Sequence, residues 1–133
     1  MKISPYVTFD GCCEEAFAAY AALLGGEVSS LMRWSEAPGG GPPDMAGKVM
    51  HANLRLDRDD LLGCDQSGTA NPAPAGFSVT LEVETNAEAE RIYAGLAEGG
   101  SVRMAIGETF FAQRFASLID RFGIPWLIIS GAH

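Results

Sequence analysis

Glu15-Ala16-Phe17-Ala18-Ala19-Tyr20-Ala21-Ala22-Leu23 and Glu88-Ala89-Glu90-Arg91-Ile92-Tyr93-Ala94-Gly95-Leu96 are two versions of one phrase. Glu, Ala, Tyr, Ala and Leu coincide in order and spacing. The likeness extends outward on both sides. Val7-Thr8 before the first copy matches Val79-Thr80 before the second. Gly25-Gly26 after it matches Gly99-Gly100, and Val28 matches Val102. A fainter echo joins Ala52-Asn53-Leu54-Arg55-Leu56-Asp57-Arg58 to Ala116-Ser117-Leu118-Ile119-Asp120-Arg121. Alanine-rich helices coincide by chance, but strand, helix, Gly-Gly stop and following strand in one order make an internal repeat the better explanation.

The periodicity inside each copy assigns its elements. Tyr6-Val7-Thr8-Phe9 alternates as a strand. Phe17, Tyr20, Ala21 and Leu24 fall at i, i+3, i+4, i+7 and form the apolar stripe of a helix over residues 13–24. Gly25-Gly26 ends it, because glycine enters the left-handed C-cap conformation at little cost. Strands are predicted over residues 28–33, 49–57 and 60–64. The second copy opens with a strand over 77–83, where Val79, Leu81 and Val83 alternate. Its helix carries the capping-box spacing Thr85-x-x-Glu88 and the stripe Ala89, Ile92, Tyr93 and Leu96. Strands then fall at 102–106, 112–120 and 125–130. The reading is one α+β domain of two βαβββ modules, residues 1–65 and 77–133, joined by a linker over 66–76. Residues 36–47, rich in Gly and Pro, form a mobile loop, either a plain connection or a lid over a cavity.

Composition bounds the function. The chain has 133 residues, 47% of them hydrophobic, which suits one compact domain. Nine Lys and Arg against 17 Asp and Glu give a net charge of −8, with no basic cluster, so nucleic acid is not an expected partner. No apolar stretch has the length of a membrane span, and Met1-Lys2-Ile3-Ser4-Pro5 has no apolar leader, so a cytoplasmic protein without a membrane partner is expected. Three cysteines, Cys12, Cys13 and Cys64, do not make a disulfide framework. Cys12-Cys13 reads either as small buried residues at a strand–helix junction or as a thiol activated by a helix start.

Paired βαβββ modules, together with Ser4-Pro5-Tyr6-Val7-Thr8-Phe9, His51-Ala52-Asn53, Glu108-Thr109-Phe110-Phe111-Ala112 and Asp120-Arg121-Phe122-Gly123-Ile124-Pro125-Trp126, resemble the PhnB-like branch of the glyoxalase/bleomycin-resistance/extradiol dioxygenase (vicinal oxygen chelate) superfamily. That branch is also labelled 3-demethylubiquinone methyltransferase-like. The resemblance implies cup-shaped mixed sheets, a small-molecule cavity and frequent homodimers. It also implies, for the metal enzymes, one His or carboxylate ligand from the first and last strand of each module. Those positions correspond here to Ser4, Gly63 or Cys64, Ser78 and Leu127, none of which is His, Asp or Glu, so no metal is expected. No glycine-rich turn joins a strand to a helix as a nucleotide-type crevice requires, so no cofactor is expected either.

Alternation then nominates a ligand-binding face. With Val7, Phe9, Val79, Leu81 and Val83 packed beneath the helices, Tyr6, Thr8, Ser78, Thr80 and Glu82 face the cup, joined by Leu127 and Ile129. His51 and Asn53 share a strand face opposite Ala52 and Leu54, and complete the expected ligand-binding set of Tyr6, Thr8, His51, Asn53, Ser78, Thr80 and Leu127. His51 is a structural histidine or a general base, with Asp65 or Glu108 as the acid that could serve it. Glu108, beside two aromatic residues, is an exposed turn residue or a proton shuttle with a raised pKa. Trp126 shares the core face with Ile128, or else stacks on a flat ligand. Three functions stay open. One is a metal-free small-molecule binding protein acting as a homodimer. Another is an enzyme of lyase, isomerase or dioxygenase type using His51 and an acid, with or without a metal held in an unusual way. The third is an interaction or structural module whose cup is vestigial.

Overall fold

The computed structural model describes residues 1–66 and 73–132. Its chain divides into two compact units, Met1–Pro72 and Ala73–His133. The expected linker over 66–76 spans that division, and its residues 67–72 lie outside the described residues, as does His133.

The first unit runs β1 (Tyr6–Phe9), α1 (Cys13–Leu24), β2 (Glu27–Arg33), β3 (Val49–Leu56) and β4 (Asp59–Asp65). The second repeats it with β5 (Val79–Val83), α2 (Asn86–Ala97), β6 (Ser101–Gly107), β7 (Ala112–Ile119) and β8 (Pro125–Ala132). The first sheet has the order β1-β4-β3-β2 and the second β5-β8-β7-β6. In each, the first and last strands of the module pair in parallel and the other pairs are antiparallel. These are the α+β modules expected from the repeat.

Each helix covers one face of its sheet. Cys13, Ala16, Phe17 and Tyr20 are the buried residues of α1, whereas Ala21 and Leu24 are only half-buried. The buried stripe therefore lies one turn nearer the N-terminus than predicted. On β4, Gly63 lets the Phe17 ring approach the strand: a Cβ on Gly63 would lie 2.7 Å from Phe17 Cζ. On α2, Ala89, Ile92 and Leu96 are buried and Tyr93 is half-buried. Val7 and Phe9 are buried beneath α1, and Trp126 and Ile128 form core in the second unit.

The Gly-Gly doublets do two different jobs. Gly25 and Gly99 take left-handed φ values of +77° and +73°. Gly26 and Gly100 are instead hemmed by backbone: added Cβ atoms would lie 2.7 Å from Arg55 O and 2.3 Å from Ile119 O. The first glycine turns the chain and the second lets it pass against the neighbouring strand.

Two carboxylates tie down ends of elements. Asp65, 1% exposed, accepts from the backbone N–H of Cys13 through Oδ1 and of Val49 through Oδ2, both at 2.9 Å. It thus caps α1 from across the sheet, where Cys12 supplies no side-chain cap. Asp120 accepts from Phe122 and Ile124 N–H through Oδ1 and from the Trp126 indole N–H through Oδ2, each at 2.9 Å. With Gly123 at φ +92°, this shapes the β7–β8 turn and accounts physically for the Asp-x-Phe-Gly-x-Pro-Trp segment. Thr85 caps α2 by accepting from Glu88 N–H at 3.1 Å.

Residues 36–47, expected as a mobile loop, are built from short 3-10 turns at Pro38–Gly40 and Pro43–Met45, following one at Trp34–Glu36. Met45 is buried, Trp34 Nε1 donates to the Asp65 carbonyl at 3.1 Å, and Ser35 N–H donates to Ala46 O at 3.1 Å. Pro and Gly exclude a long regular element here, yet they permit a sequence of tight turns.

Candidate functional site

Pairing register decides which side chains share the face of the first sheet opposite α1. Ser30, Asn53, Leu62 and Tyr6 lie in one row across β2, β3, β4 and β1, through the pairs Ser30↔Asn53, Asn53↔Leu62 and Tyr6↔Leu62. One step along, Met32 pairs with His51 and Thr8 pairs with Cys64. Strand alternation puts these residues on the face away from the helix, while Ala52, Leu54, Leu61 and Gly63 face α1.

Tyr6 crosses the strands to meet His51. Its hydroxyl lies 3.3 Å from His51 Nδ1, and the ring centroids are 5.8 Å apart at 35°. Burial, followed by a hydrogen bond with the Cys64 thiol and by the negative charge Cys64 and Cys13 would carry as thiolates, pushes the Tyr6 phenol up to about 12. The phenol is therefore neutral through the physiological range. The tautomer of His51 sets the direction of its bond with the Tyr6 hydroxyl. Met32, the cross-strand neighbour of His51, is exposed.

Asn53 stands two residues along the same strand face. Its side-chain Oδ1 is buried and has no hydrogen-bond partner among the described residues. A buried acceptor left unpaired costs about 1–3 kcal/mol, so it is an uncommon feature in a folded chain. Beyond this row, Asp60 holds Arg55 and Lys2 in ion pairs, which brings its carboxyl below the usual range, chiefly through hydrogen bonds from Lys2 and Arg55.

Tyr6, Thr8, His51 and Asn53 thus share one face. Asp65 does not join them. It belongs to the opposite face, with each carboxylate oxygen engaged by a backbone amide. The neighbour His51 does have is a phenol. Glu108 is exposed and follows β6 in the second unit. Ser30, Met32, Leu62 and Cys64 were missed as site residues, although the alternation of β2 and β4 could have nominated them once their pairing partners were known.

The corresponding face of the second sheet carries Thr80 and Glu82 of β5, Leu127 and Ile129 of β8, and Phe115 and Ser117 of β7, with Thr80↔Leu127, Glu82↔Ile129, Phe115↔Ile129 and Ser117↔Leu127 as register partners. Ser78, expected within the strand, is half-buried and precedes β5. The β6–β7 turn is built on Thr109, whose Oγ1 accepts from Phe111 and Ala112 N–H at 3.3 and 3.1 Å. It leaves Phe110 92% exposed, edge-on to Phe111, which packs edge-on to Phe115.

The family described as 3-demethylubiquinone-9 3-methyltransferase matches residues 1–129. The chain belongs to this family. Protein PA1353 of Pseudomonas aeruginosa has a crystal structure similar to this chain, with 39% identity, a TM-score of 0.89 and 98% of each chain covered. The PhnB protein of Bacillus cereus is 28% identical with a TM-score of 0.81, over 98% of this chain and all of that one. A glyoxylase/bleomycin resistance protein/dioxygenase domain from Frankia sp. shares the fold, with a TM-score of 0.66 at 14% identity over 97% of this chain and 94% of that one. The 3-demethylubiquinone-9 3-methyltransferase family thus has the glyoxalase/bleomycin-resistance fold in this chain.

The groups that this family name and fold imply can be tested on the side chains present. Of the alternatives Gly63 and Cys64, Cys64 lies on the face away from α1. With it stand Tyr6, Thr8 and His51; the corresponding face of the second sheet carries Thr80, Glu82 and Leu127. Among the described residues no three His, Cys, Asp or Glu side chains gather where they could hold a metal ion, and each face by itself, with an imidazole and a thiol beside a phenol and a hydroxyl on the first and one carboxylate beside a hydroxyl and an alkyl chain on the second, has too few strong donors for a divalent cation. A methyl donor of nucleotide type fits no better. The first amide of α1 is taken by Asp65, the N-terminus of α2 is capped by Thr85, and neither strand–helix junction is glycine-rich. No helix among the described residues is long and apolar enough to cross a membrane.

Proposed function

We propose that this chain is a small-molecule binding protein, with its ligand on the face of β1-β4-β3-β2 opposite α1. The reading is carried by one observation: the buried, unpartnered Oδ1 of Asn53 in a row with Leu62 and Tyr6 and beside His51, Cys64 and Met32. A few polar groups set among apolar and aromatic side chains are what a small-molecule site requires. The reading needs neither metal nor cofactor, and it suits the side chains described above. The enzyme reading loses support because Asp65 is committed to two backbone amides and the contact of His51 is Tyr6. The three free cysteines suit a reducing, cytoplasmic setting. We also read the chain as a homodimer, since the exposed aromatic Phe110 and the edge strands of both sheets call for cover.

Binding is tested by thermal-shift screening of neutral aromatic and amphiphilic compounds, with hits located by amide chemical shifts of the full chain. Stabilising compounds that shift the amides of Tyr6, His51, Asn53 and Leu62 support the reading. A screen without hits, or hits that leave those amides unmoved, overturns it. Sedimentation at micromolar concentration tests the dimer, and a monomer there removes that part of the proposal.

A further inference from the structure

We infer that the ligand presents a hydrogen-bond donor, a phenolic O–H or a ring N–H on a flat neutral frame, and that Asn53 is the residue that reads it. The inference rests on the binding reading above and adds the chemical class of the ligand. Asn53 Oδ1 is an acceptor without a partner, although potential donors stand nearby. The Tyr6 hydroxyl is engaged with His51 Nδ1. On the next strand, the Ser29 hydroxyl donates to the Asn53 backbone carbonyl at 3.4 Å rather than to the side chain. Arg55, next on the same face, is held by Asp60 at 2.6 Å. None of these groups reaches Oδ1, and the acceptor is left for a group from outside.

The rest of the face limits that group. Lys2 and Arg55 are both paired with Asp60, and His51 meets the Tyr6 phenol, so each of these three basic side chains already has a partner. A carbonyl oxygen is also a weaker holder of a full positive charge than a carboxylate. Leu62 beside Asn53, the Tyr6 ring and Met32 provide apolar and aromatic surface for a flat frame. A neutral aromatic with one donor satisfies the acceptor and covers that surface together. A capped analogue leaves the acceptor buried and unpaired, which is the basis of strong discrimination by a hydrogen-bonding site.

The test uses matched pairs: 2-naphthol, indole and 2-quinolinone, each against its O- or N-methylated counterpart. Each is titrated into the isotopically labelled full chain and followed at the amides of Ser30, Asn53 and Leu62. The expected result is that free donors bind at least about tenfold more tightly than capped partners, and that Asn53→Leu erases the difference while capped compounds keep their affinity. Free and capped compounds binding equally at these amides overturns the inference and leaves the binding reading standing. A preference that survives Asn53→Leu also overturns it, since another group then reads the donor. If no compound moves these amides, the binding reading fails and the inference falls with it.

Discussion

Replacing Asp65 by alanine separates the two roles this residue could have, acid partner to His51 or cap of α1. The carboxylate is 1% exposed and accepts from Cys13 N–H and Val49 N–H at 2.9 Å each. Alanine leaves both amides buried without partners, at about 1–3 kcal/mol for each. It also removes negative charge from the N-terminus of a 12-residue helix, where the aligned peptide dipoles favour it. The expected loss is about 3–5 kcal/mol, a large share of the ~5–15 kcal/mol that holds an ordinary domain together. For a chain of this size that lowers Tm by roughly 10–20 °C. Urea denaturation measures the loss, and hydrogen exchange at Cys13 and Val49 locates it. Asp65→Asn, which keeps one acceptor, should fall between the wild type and Asp65→Ala. A loss below about 1 kcal/mol, with both amides still protected, refutes the cap. If the same variant then failed to bind compounds seen by the wild type, Asp65 would return as a partner of His51.

Three further outcomes follow from the same geometry. Gly63→Ala sets a Cβ 2.7 Å from Phe17 Cζ and 3.1 Å from Val7 O, and should cost about 1–3 kcal/mol in chemical denaturation; an unchanged midpoint contradicts the close packing of α1 on β4. The Tyr6 phenol is raised to about 12, so its protonated form is favoured in the folded state. The contribution is complete below the ordinary value of 10.0 and is lost as pH rises through about 12. Wild type should therefore lose stability more steeply than Tyr6→Phe between those values, and parallel curves would refute the assignment. Asp60 is held low by Lys2 and Arg55, so its contribution is present above the ordinary carboxylate pKa and disappears as pH falls through the lowered one. Asp60→Asn should flatten the acid limb of a stability–pH profile, and an unchanged limb would show these ion pairs to be neutral for folding.

The repeat, the helices and most strand limits were legible because they are written in local periodicity. Val7 and Phe9 alternate with Tyr6 and Thr8, Ala89, Ile92 and Leu96 recur at helical spacing, and Gly25 and Gly99 mark helix ends. Each signal depends on residues a few positions apart, and backbone geometry converts such spacing directly into a face. The grouping of Tyr6, Thr8, His51 and Asn53 on one face was legible for the same reason. That Asn53, Leu62 and Tyr6 share a row, that Tyr6 reaches across to His51, and that Cys64 joins them depended on how β1, β4, β3 and β2 pair. Register is set by long-range packing rather than by neighbours in sequence. The division of labour between adjacent residues was equally hidden. Cys64 and Asp65 are consecutive, yet strand alternation sends the thiol to the candidate site and the carboxylate to the helix end, where two distant amides hold it. The sequence by itself determined the modules and the faces they present. Only the tertiary structure decided which side chains meet there and which are already spent on holding the fold, because hydrogen-bond partners far apart in the chain are chosen by packing.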